Sequence, residues 1–550
     1  MPSLFYPPSL RQLFTNRHKE LDFLQQVADD LVVGRRRFVA IFGLRRIGKT
    51  MLLLEQLTRL LSSDEIVPVY INCEDICSSP EIFSQRYVGM TLFWALTRGE
   101  GDMDAFLTTP RLLRGSAMSV PAVSQTAASF ASEFAQSQPD TALIVKQAFD
   151  FPQRLAQNLN KKIILFIDEF PEITVLSHYP RIGDPLKLLR ASLIAQPDVA
   201  VVCAGSAIHA MKAMFTEHSS SLFLQFEMLS LAPFTREGTL QLSNKLLDNL
   251  SPLAARQIHR LSFGHPFYVT AIAQRLRRLA TATVDADTVR QAFILETLSS
   301  DGQIYNYCRY LYDVSLHKAR GYGILKAILQ LLAEEENLPL SEIARRIQKS
   351  PSATRGYLRW LQEVDLVSEE AKLYFYLDPV LRYWVAHVTK GVEIGIMPRQ
   401  EELLGLLKEL EEKYQSLSAE LGVAKESEIR ELISRFNGQE VDGSLFHHKD
   451  ITNLPLFRQV TPYRSANGQL EVDALAEDDE RWVIEIKWRG KMAGLKEMKR
   501  LLAAAQTLSG RPWFISKAGF TSDATDFARR EGILWSNQKD MEQLAKIIGD

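Results

Sequence analysis

Phe38-Val39-Ala40-Ile41-Phe42-Gly43-Leu44-Arg45-Arg46-Ile47-Gly48-Lys49-Thr50 is an apolar run that breaks at glycine, turns through two arginines and returns as Gly-Lys-Thr. It satisfies G-x-x-x-x-G-K-[ST], the phosphate-binding loop that joins a buried strand to a helix. Its glycines permit backbone conformations that turn successive N–H groups into one hollow, and a helix opening at Thr50 points its positive end there. A nucleoside triphosphate fits such a hollow. Gly43, Arg46, Gly48, Lys49, Thr50 and Met51 are therefore candidate nucleotide contacts. Lys49 would reach the β- and γ-phosphates, and the Thr50 hydroxyl would ligate Mg²⁺. The flanks agree with the motif, because Met51-Leu52-Leu53-Leu54 with Leu57, Leu60 and Leu61 continues it as a helix with an apolar face.

A second stretch completes the chemistry. Lys161-Lys162-Ile163-Ile164-Leu165-Phe166-Ile167-Asp168-Glu169-Phe170 is a continuous apolar strand ending in two carboxylates, the form of a Walker B motif. Asp168 would hold Mg²⁺ beside the nucleotide, and Glu169 would orient and deprotonate the attacking water. Acids at a strand end are often only a solvated turn, but a complete phosphate loop upstream selects the catalytic reading. Val199-Ala200-Val201-Val202-Cys203-Ala204-Gly205-Ser206 is another buried-type strand. Its terminal Ser206 either bonds the γ-phosphate or water, or is a simple turn serine.

With 550 residues the chain predicts about three or four domains at about 150 residues each. No stretch approaches the roughly 18 to 20 apolar residues of a membrane span, and the start lacks a basic segment followed by an apolar core. A soluble, cytoplasmic protein is the expectation. Four scattered cysteines exclude a disulfide framework and a four-cysteine zinc site, and read as reduced thiols. Lys and Arg (64) nearly balance Asp and Glu (66), so any DNA contact must come from a local patch.

The expected architecture is multidomain α/β. A P-loop ATPase core with a parallel sheet spans 1–234, with an inserted or mobile segment at about 78–160 that is mostly helical and whose Ser/Ala/Pro-rich middle, Ser116 to Pro139, reads as an insertion or a mobile surface loop. Asn16 reads as the N-cap of an amphipathic helix running through Leu24 and Val27. A helical lid at 235–315 is interrupted by Gly264-His265-Pro266, which most simply ends one helix and starts another and, read functionally, would place helices over the nucleotide base. Residues 316–392 have the spacing of a winged helix-turn-helix. Arg355 and Arg359, four apart, share a helix face suited to DNA, whereas Glu369 and Glu370 on the wing would meet phosphates badly. The module is either a DNA reader or a protein-packing joint. A charged amphipathic linker helix fills 393–421.

The last domain, 422–550, carries Asp473 on one strand and Glu485-Ile486-Lys487 on the next. Side chains alternate along a strand, so Glu485 and Lys487 share a face, and a hairpin brings Asp473 to them. Two carboxylates bind a divalent cation that activates water against a phosphodiester, while the lysine orients water or meets developing charge. Glu428, on the preceding helix, would complete the metal shell with Asp473 and Glu485.

From Phe14 to Trp384 the chain resembles the STAND class of signalling P-loop ATPases common in archaea and bacteria. The resemblance rests on Asn16-Arg17-x-x-Glu20, Gly43 to Thr50, the Asp168-Glu169 strand end, Gly205-Ser206, the Gly264-x-Pro266 turn and Tyr376-Leu377-Asp378-Pro379. It implies a nucleotide-controlled switch that holds ATP between core and winged helix and changes shape or assembles, with Asn16, Arg17, Ser206 and Pro266 among the nucleotide contacts. The C-terminal part looks like the PD-(D/E)xK restriction-endonuclease-like family through Asp473, Glu485-x-Lys487, Pro512 to Ser516, Gly519-Phe520-Thr521 and Ala528-x-x-x-Gly532-Ile533-Leu534, with Val472 where the motif has proline. That resemblance implies a Mg²⁺- or Mn²⁺-dependent nuclease with Asp473, Glu485 and Lys487 as its catalytic residues. Together these readings predict an ATP-controlled, DNA-acting protein serving defence against foreign DNA or DNA repair. The strongest rival is a regulatory ATPase whose C-terminal domain only binds DNA or a partner; a third reading, a processive motor or an initiator of the origin-recognition type, is disfavoured because no helicase motif set accompanies the Walker pair.

Overall fold

The computed structural model describes residues 5–108, 121–134, 140–248, 250–279, 284–317, 322–335, 337–370, 372–388, 429–448, 450–464, 471–478, 480–488 and 492–548. The chain divides into two compact units, Met1–Pro398 and Arg399–Asp550. The expected linker helix at 393–421 and Glu428 lie outside the described residues.

The first unit is built on five parallel strands: β1 (Phe38–Phe42), β2 (Ile66–Asn72), β3 (Lys162–Asp168), β4 (Val199–Gly205) and β5 (Glu227–Ser230). Their order is β2-β3-β4-β1-β5. A parallel sheet covered on both faces needs strands that are apolar throughout, and all seven residues of β4 are buried. The strand β1 enters the phosphate loop, and the helix Lys49–Leu60 leaves it with Leu52, Leu53, Leu57 and Leu60 in the core.

One expectation fails in this unit and another is narrowed. Of the two readings of Ser116 to Pro139, insertion or mobile surface loop, the loop does not hold at the helix Pro121–Phe134, whose Val123, Ala127 and Phe130 are buried in the main core. Alanine and serine there are small helix-packing residues rather than loop formers, and the phenylalanines at 130 and 134 supply the apolar face. Nor is Asn16 an N-cap. The helix runs from His18 to Val32, its cap position is Arg17 at φ 69°, and no side chain bonds its first amides. Asn16 is itself left-handed (φ 61°), and its amide packs where a side chain at Gly238 would stand.

Five helices follow the sheet: Arg236–Leu246, Pro252–Ser262, Pro266–Leu279, Ala286–Leu298 and Gln303–His317. A winged helix comes next, with helices Tyr322–Glu334, Leu340–Arg346 and Pro351–Glu363 and a small sheet of β6 (Leu338–Pro339), β7 (Val367–Glu370) and β8 (Leu373–Tyr376) in the order β6-β8-β7. The helix Pro379–Val388 closes the module, with Arg382 wholly buried.

The second unit holds one mixed sheet ordered β13-β12-β11-β10-β9, formed by β9 (Gln459–Arg464), β10 (Glu471–Glu477), β11 (Arg481–Lys487), β12 (Arg511–Ser516) and β13 (Leu534–Asn537). The first three strands form an antiparallel meander, and β11, β12 and β13 run parallel. Alternation along β11 sends Trp482, Ile484 and Ile486 into one core and Val483 into the core on the opposite face, where the helix Leu495–Leu508 packs Met498 and Leu501.

Candidate functional site

The phosphate loop is shaped by two left-handed residues, Arg46 (φ 61°) and Gly48 (φ 103°). Gly43 serves a different purpose, since a Cβ there would stand 2.7 Å from the Leu231 carbonyl oxygen. Lys49 is buried, and its Nζ donates to the carbonyls of Gly43 and Leu44, both at 2.9 Å. Burial pulls its pKa down to about 8, against the opposing pull of Glu169 and Asp168. The ammonium thus closes on its own loop while its natural counter-charge is a phosphate.

Thr50 Oγ1 donates to Asp168 Oδ2 at 2.5 Å, and the Tyr70 hydroxyl donates to the same oxygen at 3.1 Å. Burial raises the Asp168 carboxyl above its ordinary range, partly countered by the Thr50 bond. Hard oxygen donors from the loop helix and the β3 end therefore face one point, a donor set that fits Mg²⁺. The next residue, Glu169, is left-handed (φ 45°). Its carboxylate accepts from Ser206 Oγ at 3.0 and 2.9 Å and from the Ser206 amide at 3.2 Å. Ser206 thus partners the candidate general base.

Arg17 donates from its guanidinium to the Ile47 carbonyl at 3.2 Å, pairs with Glu20 and lies over the Phe234 ring. It braces the loop from outside. Met51 is half-buried against the main core and Pro266 opens the lid helix Pro266–Leu279.

Sequence reasoning did not find the lid residues that grip the loop. His265 Nε2 meets the Arg45 carbonyl at 3.1 Å and Tyr307 donates to the same oxygen at 3.3 Å. The Arg46 guanidinium lies 4.5 Å from the Phe267 ring centre and 4.6 Å from that of Tyr307. The two rings form a T-shaped pair with centres 4.9 Å apart, and the cation rests against both. Behind it, the Tyr268 hydroxyl donates to Asp378, whose other oxygen caps the amides of Val380 and Leu381. The Gly-His-Pro turn and the Tyr376-Leu377-Asp378-Pro379 stretch signalled this region, and neither encodes which distant residue it meets.

On the winged helix, Arg355 and Arg359 are both exposed on the helix Pro351–Glu363, and Glu369 and Glu370 are exposed on the wing. Arg345 and Arg346 are each paired with Glu342.

In the second unit Lys487 Nζ stands 3.2 Å from Asp473 and 2.8 Å from Glu485. Asp473 Oδ2 also accepts from the Ile486 amide at 2.7 Å. The register between β9 and β10 shifts between Val472 and Leu475, so an irregularity spans Asp473 and turns its side chain toward β11. Burial lowers the Lys487 pKa, but Glu485 and Asp473 outweigh it and hold the group above its ordinary value. Arg500 reaches Glu485 Oε1 at 2.8 Å. The three predicted residues therefore meet, with a fourth that was not predicted. Among the described residues no group of three His, Cys, Asp or Glu side chains is placed to hold a metal.

Comparison with known proteins finds two family matches, both in the first unit. Residues 14–271 match the family described as an ATPase domain predominantly from Archaea. Residues 326–369 match the helix-turn-helix of the bacterial regulatory protein, arsR family. No curated protein matches the chain. Solved structures similar to it include a Walker-type ATPase of Pyrococcus abyssi, at 14% identity and TM-score 0.49 over 68% of this chain and 96% of that one. The Aeropyrum pernix ORC2 protein aligns at 14% identity and TM-score 0.42, over 74% and 98%. The Thermotoga maritima RuvB Holliday junction branch migration motor aligns at 13% and 0.33, over 69% and 96%. No helix among the described residues is long and apolar enough to cross a membrane. The chain carries an archaeal-type P-loop ATPase domain followed by a winged helix.

Proposed function

We propose that the chain is an ATP-controlled switch acting on DNA, in which hydrolysis in the first unit governs a winged-helix reader and a metal-dependent nuclease-like second unit. The observation that carries the ATPase half is the meeting of Thr50 with Asp168 beside Lys49 and Glu169. Lys49 would exchange its loop carbonyls for the β- and γ-phosphates, Arg17 and Arg46 would keep the loop in shape, and Glu169 would take the proton of the attacking water. Thr50 and Asp168 would hold Mg²⁺, which when bound neutralises phosphate charge.

The nuclease half is supported by the convergence of Asp473, Glu485 and Lys487. Their two carboxylates already share one cation, the Lys487 ammonium, and fit a divalent ion such as Mg²⁺ or Mn²⁺, which would lower the pKa of its bound water. Lys487 would then meet charge developing on the phosphodiester. Arg355 and Arg359 are the DNA contacts, and a homo-oligomer formed on nucleotide binding fits a switch.

One observation favours a second reading. Lys487 pairs with both Asp473 and Glu485 and Arg500 pairs with Glu485, so the cluster is charge-balanced by its own side chains and the second unit can be a binding module.

Purified full-length protein with ATP, Mg²⁺ or Mn²⁺, and supercoiled or linear DNA separates the readings. Expected are ATP turnover abolished by Lys49→Ala and DNA cleavage abolished by Asp473→Ala. Turnover that survives Lys49→Ala would end the ATPase reading. Absence of cleavage in every nucleotide state would leave the binding module.

A further inference from the structure

The helix Ile208–Thr216 begins two residues after Ser206, and its N-cap position is Ala207, which has no side chain to accept from the first-turn amides. The acceptor comes from the winged helix, 157 residues further along the chain. Asp365 Oδ2 accepts from the Ile208 amide at 2.7 Å, and Oδ1 accepts from the His209 amide at 3.0 Å. Asp365 lies between the helix Pro351–Glu363 and β7 at φ 57°, a left-handed turn that aims its carboxylate at the ATPase core. A carboxylate on the positive end of a helix, bonded to two amides, is a strong form of cap. Only Ala207 separates the capped turn from Ser206, whose hydroxyl and amide both go to Glu169. A continuous path of hydrogen bonds and one intervening residue, Ala207, therefore links a winged-helix loop to the candidate general base.

We propose that Asp365 is a positioning residue for ATP hydrolysis: by clamping the start of this helix it keeps Ser206 on Glu169 and holds the base at rest. Both oxygens of Glu169 accept from Ser206, so an attacking water must compete with Ser206 for the carboxylate. Release of the clamp leaves the first turn uncapped, lets Ser206 shift and frees Glu169. The proposal rests on Glu169 being the general base, which makes the winged helix part of the hydrolytic apparatus.

The test is steady-state ATP hydrolysis by the full chain carrying Asp365→Ala, Ser206→Ala or both, with the affinity for a fluorescent ATP analogue measured alongside. Each single change should raise kcat on the order of fivefold, the lower end of coupling between linked sites, and Asp365→Ala, which touches no candidate nucleotide contact, should leave KM for ATP unmoved. The double variant should rise no further than the singles, because both open one path. Asp365→Asn offers one acceptor oxygen to two amides and should give a smaller rise, and it serves if the alanine variant fails to fold. A kcat that stays level or falls in Asp365→Asn and Ser206→Ala overturns the proposal, as do additive effects. A parent whose turnover is indifferent to Lys49→Ala defeats the ATPase reading itself, and the two failures are told apart by that control.

Discussion

Arg500 places a guanidinium nitrogen 2.8 Å from Glu485 Oε1, the same oxygen that Lys487 holds at 2.8 Å. One carboxylate oxygen thus serves two cations, and a metal that uses it must displace at least one. Arg500 is the weaker holder, because its side chain is 71% exposed while that of Lys487 is 22% exposed. Arg500→Ala should therefore tighten Mn²⁺ binding to the second unit, by about fivefold at most, since an exposed ion pair is worth about 1 kcal/mol or less. Calorimetric titration with Mn²⁺ reads this directly, and weaker binding in the variant would make Arg500 a support of the site.

Glu169→Gln keeps the shape of the side chain and removes its capacity to take a proton. ATP should still bind, with turnover reduced by about 10² to 10⁴, the range of a positioned general base. Loss of binding in a folded variant would make Glu169 a structural residue.

His265 stands wholly buried against the Arg45 carbonyl, with the Tyr268 ring 4.6 Å away. Burial lowers its pKa to about 3, the Arg45 bond opposes this, and the charges of Lys49, Arg17 and Arg46 add to the lowering. Between the ordinary value of 6.5 and about 3 the unfolded chain binds a proton that the native state refuses. Stability is thus complete above pH 6.5 and falls as pH drops, by up to about 1.4 kcal/mol per unit. His265→Gln removes the titration, so its melting temperature should fall less steeply than the parent's between pH 6.5 and 5. Parallel profiles would refute this.

Arg355→Ala with Arg359→Ala should weaken DNA binding and flatten its salt dependence, by about 0.9 in the log–log slope for each phosphate that is no longer neutralised. An unchanged slope would make the winged helix a protein joint.

What the sequence disclosed follows the range of its interactions. Gly43 to Thr50 and Asp168-Glu169 were readable because each needs only its neighbours to define its geometry. Glu485 and Lys487 were readable through strand alternation, but the irregularity that turns Asp473 toward them depends on pairing with β9 and has no local signature. Arg45 is met by His265 and Tyr307 from more than 200 positions away, and nothing in a Gly-His-Pro turn names its partner. Asp365 gave no signal either, because a helix lacking its own capping side chain looks in sequence like a helix with a poor start. Asn16 misled for the converse reason: a residue type favoured at caps was used for its tolerance of a left-handed backbone.

The position of β4 sets the gauge of the hydrolytic centre. It lies between β1, which carries the phosphate loop, and β3, which carries the two acids. Strands in a sheet stand about 4.8 Å apart, so the halves of the reaction are held about 10 Å apart at their roots by the width of one intervening strand. That spacer has no slack. Its residues are buried throughout, and at its end a side chain on Gly205 would stand 2.7 Å from Met211 and 2.8 Å from Pro171. A break in the backbone pairing of Val199 to Gly205 with either neighbour, far from any phosphate, would act as a change in the calibre of the site, altering the reach of Thr50 to Asp168 without touching either residue.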